Sequence, residues 1–348
     1  MTSMCRPPRP EALSLLRLTP VLALCVGLAM LGALCIGRYP LPVHDIGRFL
    51  AASLRLSEMP AGEYDTLYNL IVRIRLPRVL AAVLVGASLS IAGAAFQGVF
   101  RNPLVSPGLL GVLAGAAFGA ALGILLGLPW ASVQILTFAM GVGAVGIGVG
   151  IAGLFRSGGI VMMVLGGIIS GALFTSLLSM VKYAADPYNQ LPAIVYWLMG
   201  SLAMADLGQV GALAVPMLIG IVLLVILGRP LDALTMGDDE ARSLGVPVRA
   251  IRYTIIILST LISAMTVSLA GMIGWVGLIV PHIARLLVGP GNALLLPTSA
   301  AIGACFLLAA DGLSRTLTTT EIPIGIVTEL IGIPCFLLVL GRARKGWV

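Results

Sequence analysis

Residues 79–100 read VLAAVLVGASLSIAGAAFQGVF, 22 residues without a charge. At 1.5 Å per residue a helix of that length reaches about 33 Å, enough to cross a hydrocarbon core of roughly 30 Å. An open strand would leave its N–H and C=O groups unpaired in lipid, so a spanning helix is the reading that lipid permits. Gly86 and Ser90, four residues apart, mark a face that another backbone can approach closely, and Gly115 with Gly119 repeat the device further on.

Working outward, comparable apolar runs cover residues 18–36, 109–128, 131–155, 161–184 and 208–227. A polar stretch follows at 229–252, and then runs at 253–273, 275–288, 293–310 and 324–340. The pattern predicts an all-α membrane protein of about ten transmembrane helices. Composition agrees: 59% of the residues are hydrophobic and 10% charged, with a mean hydropathy of +1.08. An ordinary soluble domain carries roughly 25% charged residues. The run at 18–36 follows a short basic start but exceeds the roughly 7–15 apolar residues of a signal peptide, so it reads as a retained first helix. Residues 37–75 hold Pro40, Pro42, Pro60 and several charges, and read as a loop outside the membrane with a short interfacial helix.

The net charge of +7 is spread between apolar runs rather than gathered in one basic domain, which favours a topological role over nucleic-acid binding. With the N-terminus inside, 13 of the 21 Lys and Arg fall on the cytoplasmic side or its approaches, and most of the others lie in the one long loop. Residues 1–17 and 231–250 are then cytoplasmic, residues 37–75 lie on the opposite side, and the chain is multi-pass. Cys5, Cys25, Cys35, Cys305 and Cys335 form no CxxC pair and read as packed thiols. Ser90-Ile91-Ala92-Gly93 is followed by Pro103, and Ser268-Leu269-Ala270-Gly271 by Pro281, ten residues after the glycine in each case. Since the two helices run in opposite directions, the match suggests an inverted repeat of helices 2–5 and 7–10.

Catalytic chemistry finds no support. His44 and His282 have no ligand partner at i+3 or i+4, no metal site is expected, and no phosphate-binding Walker A sequence occurs. Uphill transport would need another polypeptide or an ion gradient. Residues 231–250, LDALTMGDDEARSLGVPVRA, read as two short helices joined at Leu244-Gly245-Val246. With Asp238, Asp239, Glu240 and Arg242 on them, they suit a docking element for a soluble partner, although a solvated loop would share the composition. An ion-coupled secondary transporter, supported by the repeat and by Glu329, is the alternative from another class. An intramembrane enzyme lacks a paired nucleophile and base.

Arg75-Leu76-Pro77-Arg78 and the run Arg101-Asn102-Pro103-Leu104-Val105-Ser106-Pro107-Gly108-Leu109-Leu110-Gly111 resemble the opening motifs of the FecCD family of permeases. In the second half Gly277-Leu278-Ile279-Val280-Pro281-His282-Ile283-Ala284-Arg285, Leu296-Pro297 and Glu321-Ile322-Pro323-Ile324-Gly325-Ile326-Val327-Thr328 look like the same family, in its order. The likeness runs from about residue 75 to 344.

The resemblance implies a homodimeric permease, two ABC ATPase subunits that carry ATP and Mg, no cofactor on this chain, and a periplasmic substrate-binding protein. A ferric siderophore is the expected cargo, with haem, cobalamin or a molybdate-type oxyanion open. Arg75, Arg78 and Arg315 fall on the positions that dock the binding protein, and as solvated rim charges they would steer encounter and weaken with salt. Asn102 and Leu104, with Ser157 and Gly158, match a cytoplasmic gate. Asp238, Asp239, Glu240, Arg242, Leu244 and Gly245 belong to the ATPase-coupling helices. Tyr188, Tyr196 and Trp197 flank the outer mouth, although aromatics there also suit a membrane-interface belt. Glu329 stands where the family has a small or apolar residue. A carboxylate there is costly unless it faces water or the bundle interior, so it is expected to line the pathway near its periplasmic end, paired with Arg315 or Lys182.

Overall fold

The computed structural model describes residues 11–154 and 159–343, with side chains described for 17–154 and 159–338. Among the described residues all regular structure is helical. The order is α1 (Glu11–Cys35), α2 (Val43–Ser53), α3 (Ala61–Tyr68), a π-helix (Asn69–Arg75), α4 (Leu76–Phe100), a 3-10 turn (Pro107–Leu110), α5 (Val112–Leu125), α6 (Trp130–Leu154) and α7 (Ile160–Ala184). There follow α8 (Gln190–Leu198), α9 (Leu207–Ile226), α10 (Gly228–Met236), α11 (Asp238–Ser243), α12 (Val248–Ala270), α13 (Val276–Val288), α14 (Asn292–Thr316) and α15 (Ile324–Ala343). Seven of these are long and apolar enough to span a membrane, and α5, α13 and α15 are shorter apolar helices. Together they coincide with the ten expected spans.

Helix α4 is the hub. The most apolar window of its span is 89% buried, against 6% for α1, which lies at the periphery. Glycine makes the centre possible. A Cβ added at Gly93 would lie 1.8 Å from the Gly277 carbonyl oxygen, and one at Gly86 would lie 2.2 Å from that of Gly303, so α13 and α14 meet α4 backbone to backbone. A second block repeats the device: Gly119 abuts the Leu136 carbonyl and Gly166 that of Gly148, closing α5, α6 and α7 on one another. Without a hydrophobic driving force between helices in lipid, close packing of this kind is what holds a bundle together.

The packing pattern shows two related halves. Helix α4 packs on α12, α13 and α14 as α12 packs on α4, α5 and α6, and the mutual contacts of α5, α6 and α7 are mirrored by those of α13, α14 and α15. Chain alternation makes α4 and α12 run in opposite directions, so the repeat is inverted. The tetrapeptides that suggested it are nevertheless not equivalent. Gly93 lies inside α4, whereas Gly271 terminates α12 at φ +71°, and Pro281 sits within α13 while Pro103 follows the end of α4.

Two expectations of local structure are corrected. Residues 37–75 form α2, α3 and the π-helix rather than mainly loop. Pro42 and Pro60 occupy the cap positions just before α2 and α3, where proline's missing N–H costs no helical bond. Leu41, Ile46, Phe49, Leu67 and Ile71 close a small core beneath them. In the polar stretch the joint between the two short helices is Gly237, at φ +144°, a conformation that glycine supports readily. Leu244 to Pro247 instead turn the chain from α11 into α12.

Candidate functional site

The short helices α10 and α11 are fastened to three spanning helices. Arg101, the left-handed residue that ends α4, donates from Nε to the Leu234 carbonyl at 2.8 Å and pairs with Asp238. Arg252 of α12 donates to the same Asp238 oxygen at 2.7 Å. Asp232 of α10 accepts from the backbone N and Nδ2 of Asn292, the first residue of α14, both at 2.7 Å. The hydrogen bond from Arg252, and then the charges and bond of Arg252 and Arg101, hold the Asp238 carboxyl below the ordinary carboxylate range.

The remainder of this face is open. Asp239 and Arg242 pair with each other at 2.6 Å in solvent, Glu240 lies over Gly237, and Leu244 is 64% exposed. Gly245, at φ +78°, turns there with nothing in front of it. Between α11–α12 and the adjoining ends of α6 and α7 lies a cleft of about 1080 Å³, lined by Arg101, Asp238, Arg242, Arg249 and Arg252 among others. An exposed leucine at the end of α11, together with a cleft bearing four arginines and one aspartate, suits a partner surface of mixed apolar and acidic character.

Directly after Arg101 the chain leaves helical geometry. Asn102 Oδ1 accepts from the Leu104 N–H at 2.9 Å, and Leu104 points outward at 59% exposure, ahead of the 3-10 turn Pro107–Leu110. Asn102 and Leu104 thus follow immediately on the residue that holds α11. Ser157 and Gly158 lie outside the described residues.

At the opposite end of the bundle, Arg75, Arg78 and Arg315 are not solvated rim charges. They are 4%, 7% and 6% exposed. Arg78 donates from Nε to Asp311 at 2.7 Å and from Nη1 to Glu321 at 2.9 Å, and Arg315 Nε lies 3.1 Å from the other Asp311 oxygen. Arg315 also donates to the Ala33 carbonyl, and Arg75 to the carbonyls of Leu34, Cys35 and Tyr39. The cluster therefore ties α1, α4, α14 and the start of α15 together. Sequence reading missed Asp311 and Glu321, which lie 233 and 243 residues from Arg78. The i,i+4 spacing of Asp311 and Arg315 was the available signal.

The outer-mouth candidates converge in part. The end of α8 meets the end of α12 and the start of α15. Gly325 N–H donates to the Met199 carbonyl at 3.1 Å, Ile324 N–H to that of Gly200 at 3.2 Å, and Ser201 N–H to that of Ala270 at 2.9 Å. Tyr196 and Trp197 occupy this end of α8, with Tyr196 exposed, and Tyr188 stands out on the preceding turn. Glu329 is exposed on α15, its Oε1 3.7 Å from the position a Gly274 Cβ would take. It pairs with neither Arg315 nor Lys182, because Arg315 is committed to Asp311 and Lys182 makes no ion pair among the described residues.

The sequence profile of the FecCD transport family matches residues 23–342. The molybdate import system permease protein MolB of Haemophilus influenzae is 37% identical over 314 residues, 90% of this chain and 92% of that protein. A Helicobacter pylori protein described as an iron chelatin transport permease is 37% identical, over 81% of this chain and 85% of its own length. A solved structure assigned to a metal-chelate type ABC transporter, in an inward-facing conformation, superposes with a TM-score of 0.82 at 35% identity, covering 94% of this chain and 99% of that one. An all-helical bundle with an inverted repeat, an outward-facing pair of short helices pinned to three spans, and a family match across nine-tenths of the sequence lead to one conclusion: this chain is a multi-pass membrane permease belonging to the FecCD transport family.

Proposed function

We propose that this chain is the permease subunit of an ATP-driven, binding-protein-dependent importer that carries a metal chelate, with a ferric siderophore as its cargo. It works as a homodimer in a bacterial inner membrane, with residues 1–17 and 231–250 cytoplasmic and residues 37–75 periplasmic. Two ABC ATPase subunits bind the α10–α11 face and a substrate-binding protein binds the opposite end. The observation that carries the reading is the open α10–α11 hairpin, fixed through Asp238 and Asp232 to α4, α12 and α14. Movement of a partner seated on Asp239, Glu240, Arg242, Leu244 and Gly245 would pass through Asp238 to Arg101, and thence to the gate at Asn102 and Leu104. At the other end Arg75, Arg78 and Arg315 act in docking through their network, whose solvent-facing member is the Glu321 edge. A metal-containing cargo is supported by the names of the molybdate and iron chelatin relatives and by the metal-chelate type of the structural neighbour. An oxyanion such as molybdate is the second reading, favoured by the long match to the Haemophilus protein.

A tagged chain purified gently from its native membranes tests the assignment. The expected result is a co-purifying subunit that hydrolyses ATP, retained by the wild type and lost on Leu244→Asp with equal protein in the membrane. An eluate of intact permease without ATPase would instead point to an ion-coupled carrier.

A further inference from the structure

The chain breaks helical geometry between α12 and α13, at Gly271–Trp275, and the break lies at membrane depth. Gly277, in the first turn of α13, packs on the carbonyl of Leu89 and on Gly93, well inside α4. Non-helical backbone at that depth is tolerated where it is buried in protein or lines a water-filled cavity. Trp275 adopts φ +67°, a region that bulky side chains rarely enter. Its ring is held edge-on against Phe336 of α15, at 6.2 Å between centroids.

Glu329 faces this break from α15. Its neighbours on the exposed side of that helix are Ile326, Leu330 and Ile333, so it is a lone carboxylate on an otherwise apolar surface, with no cation paired to it among the described residues. An acidic residue directed into lipid loses its hydration without compensation, whereas one beside a water-filled cavity keeps it. Carboxylate, unwound glycine backbone and strained tryptophan thus coincide at one depth.

We infer that Glu329 lines the translocation pathway beside Gly274 and gives it a negative potential, so that the cargo crosses as a neutral or cationic chelate rather than as an oxyanion. This rests on the importer reading and narrows its substrate class. In a homodimer the carboxylate is present twice, and cations are concentrated where anions are repelled. A chelate that buries its metal in a neutral or positively charged ligand shell passes such a site, while molybdate meets repulsion from both copies.

The test needs no knowledge of the cargo. Reporter cysteines replace Ile326 or Ile333, one turn to either side of Glu329, in a full-length chain whose five native cysteines are removed, in native membrane vesicles of both orientations that are assayed in parallel for an ATPase bound to the chain. Each reporter is reacted with a cationic and an anionic methanethiosulfonate of similar size, with rates corrected for reaction with a free thiol. The cationic reagent is expected to react at least about fivefold faster, and Glu329→Gln is expected to bring the two rates within about twofold, as neighbouring charges in a partly screened site imply. Equal rates before substitution, a ratio that survives Glu329→Gln, or absence of labelling at both positions from both faces would each overturn the inference. Presence of the ATPase in those same vesicles would leave the importer reading standing, and its absence would remove that reading instead.

Discussion

Asp311→Asn keeps the size of the side chain and removes one charge at a place where the surrounding structure depends on it. Asp311 is fully buried between two arginines. Removing one member of a buried ion pair costs about 3–5 kcal/mol, because the partner charge is left without compensation. Two details favour the lower end. Arg78 keeps Glu321 at 2.9 Å, and the approach of Arg315 Nε to Asp311 Oδ2, 3.1 Å, lacks hydrogen-bond alignment. The main orphan is then Arg315, left with the Ala33 carbonyl at 3.2 Å and its own i−4 carbonyl at 3.4 Å. A loss of about 3 kcal/mol raises the unfolded fraction roughly a hundredfold, at about 1.4 kcal/mol per tenfold. Unfolding in detergent micelles, followed by tryptophan fluorescence after protease protection has shown correct insertion, reads the change. Asp311→Asn with Arg315→Gln should recover about 2 kcal/mol of it, since the orphaned charge is gone, and a double-mutant cycle isolates that coupling. Glu321→Gln alone should cost less than about 1 kcal/mol, because its carboxylate is one-third exposed and screened. If Asp311→Asn unfolded within about 0.5 kcal/mol of the wild type, or the double variant were merely additive, the cluster would not be holding α1, α4 and α14 together.

Gly93→Ala should abolish stable assembly, since the new methyl would overlap the Gly277 backbone, whereas Gly143→Ala, with open space in front of it, should assemble normally; membrane yield and gel-filtration profile distinguish them. Asp238→Asn should uncouple α11 from α4 and α12, lowering uptake while costing only about 1 kcal/mol in stability, because the carboxylate is partly exposed. The pH dependence follows from the sign of its shift. With the folded pKa depressed, the stabilisation is complete above the ordinary carboxylate range and is lost as pH falls through the folded value. Wild-type stability should therefore not change through this group between neutrality and about pH 5, and should decline only in stronger acid. Asp238→Asn should remove that part of the acid dependence, as unfolding measured from pH 7 downward would show.

Most of the fold was legible because lipid leaves a chain few options. An uncharged run such as 79–100 must be a helix, and ten strongly apolar runs, three of them carrying a single charge (Lys182, Arg285 and Glu329), give ten apolar helices. The repeat was legible in outline but not in register. Four matched residues around Gly93 and Gly271 come from different positions in the two halves, since glycine at a helix crossing and glycine at a helix end look alike in sequence.

The hairpin at 231–250 was recognisable from its polarity. Its joint was misplaced because Gly237 and Gly245 are both turn glycines, and a single sequence does not say which one lies between the short helices. What escaped altogether was pairing at long range. Arg75, Arg78 and Arg315 were read as solvated rim charges that dock a binding protein, yet Asp311 and Glu321 reach Arg78 only after more than 230 residues of chain have folded back. Local patterns disclose whether a charge can be tolerated in a span; only the packed bundle shows which opposite charge meets it. The same logic separates the two kinds of carboxylate in this protein. Asp311 is buried and answered by two guanidinium groups, so its charge is spent on architecture. Glu329 is exposed, beside backbone that has left the helix and with no cation paired to it among the described residues, which is the arrangement the proposed pathway role requires.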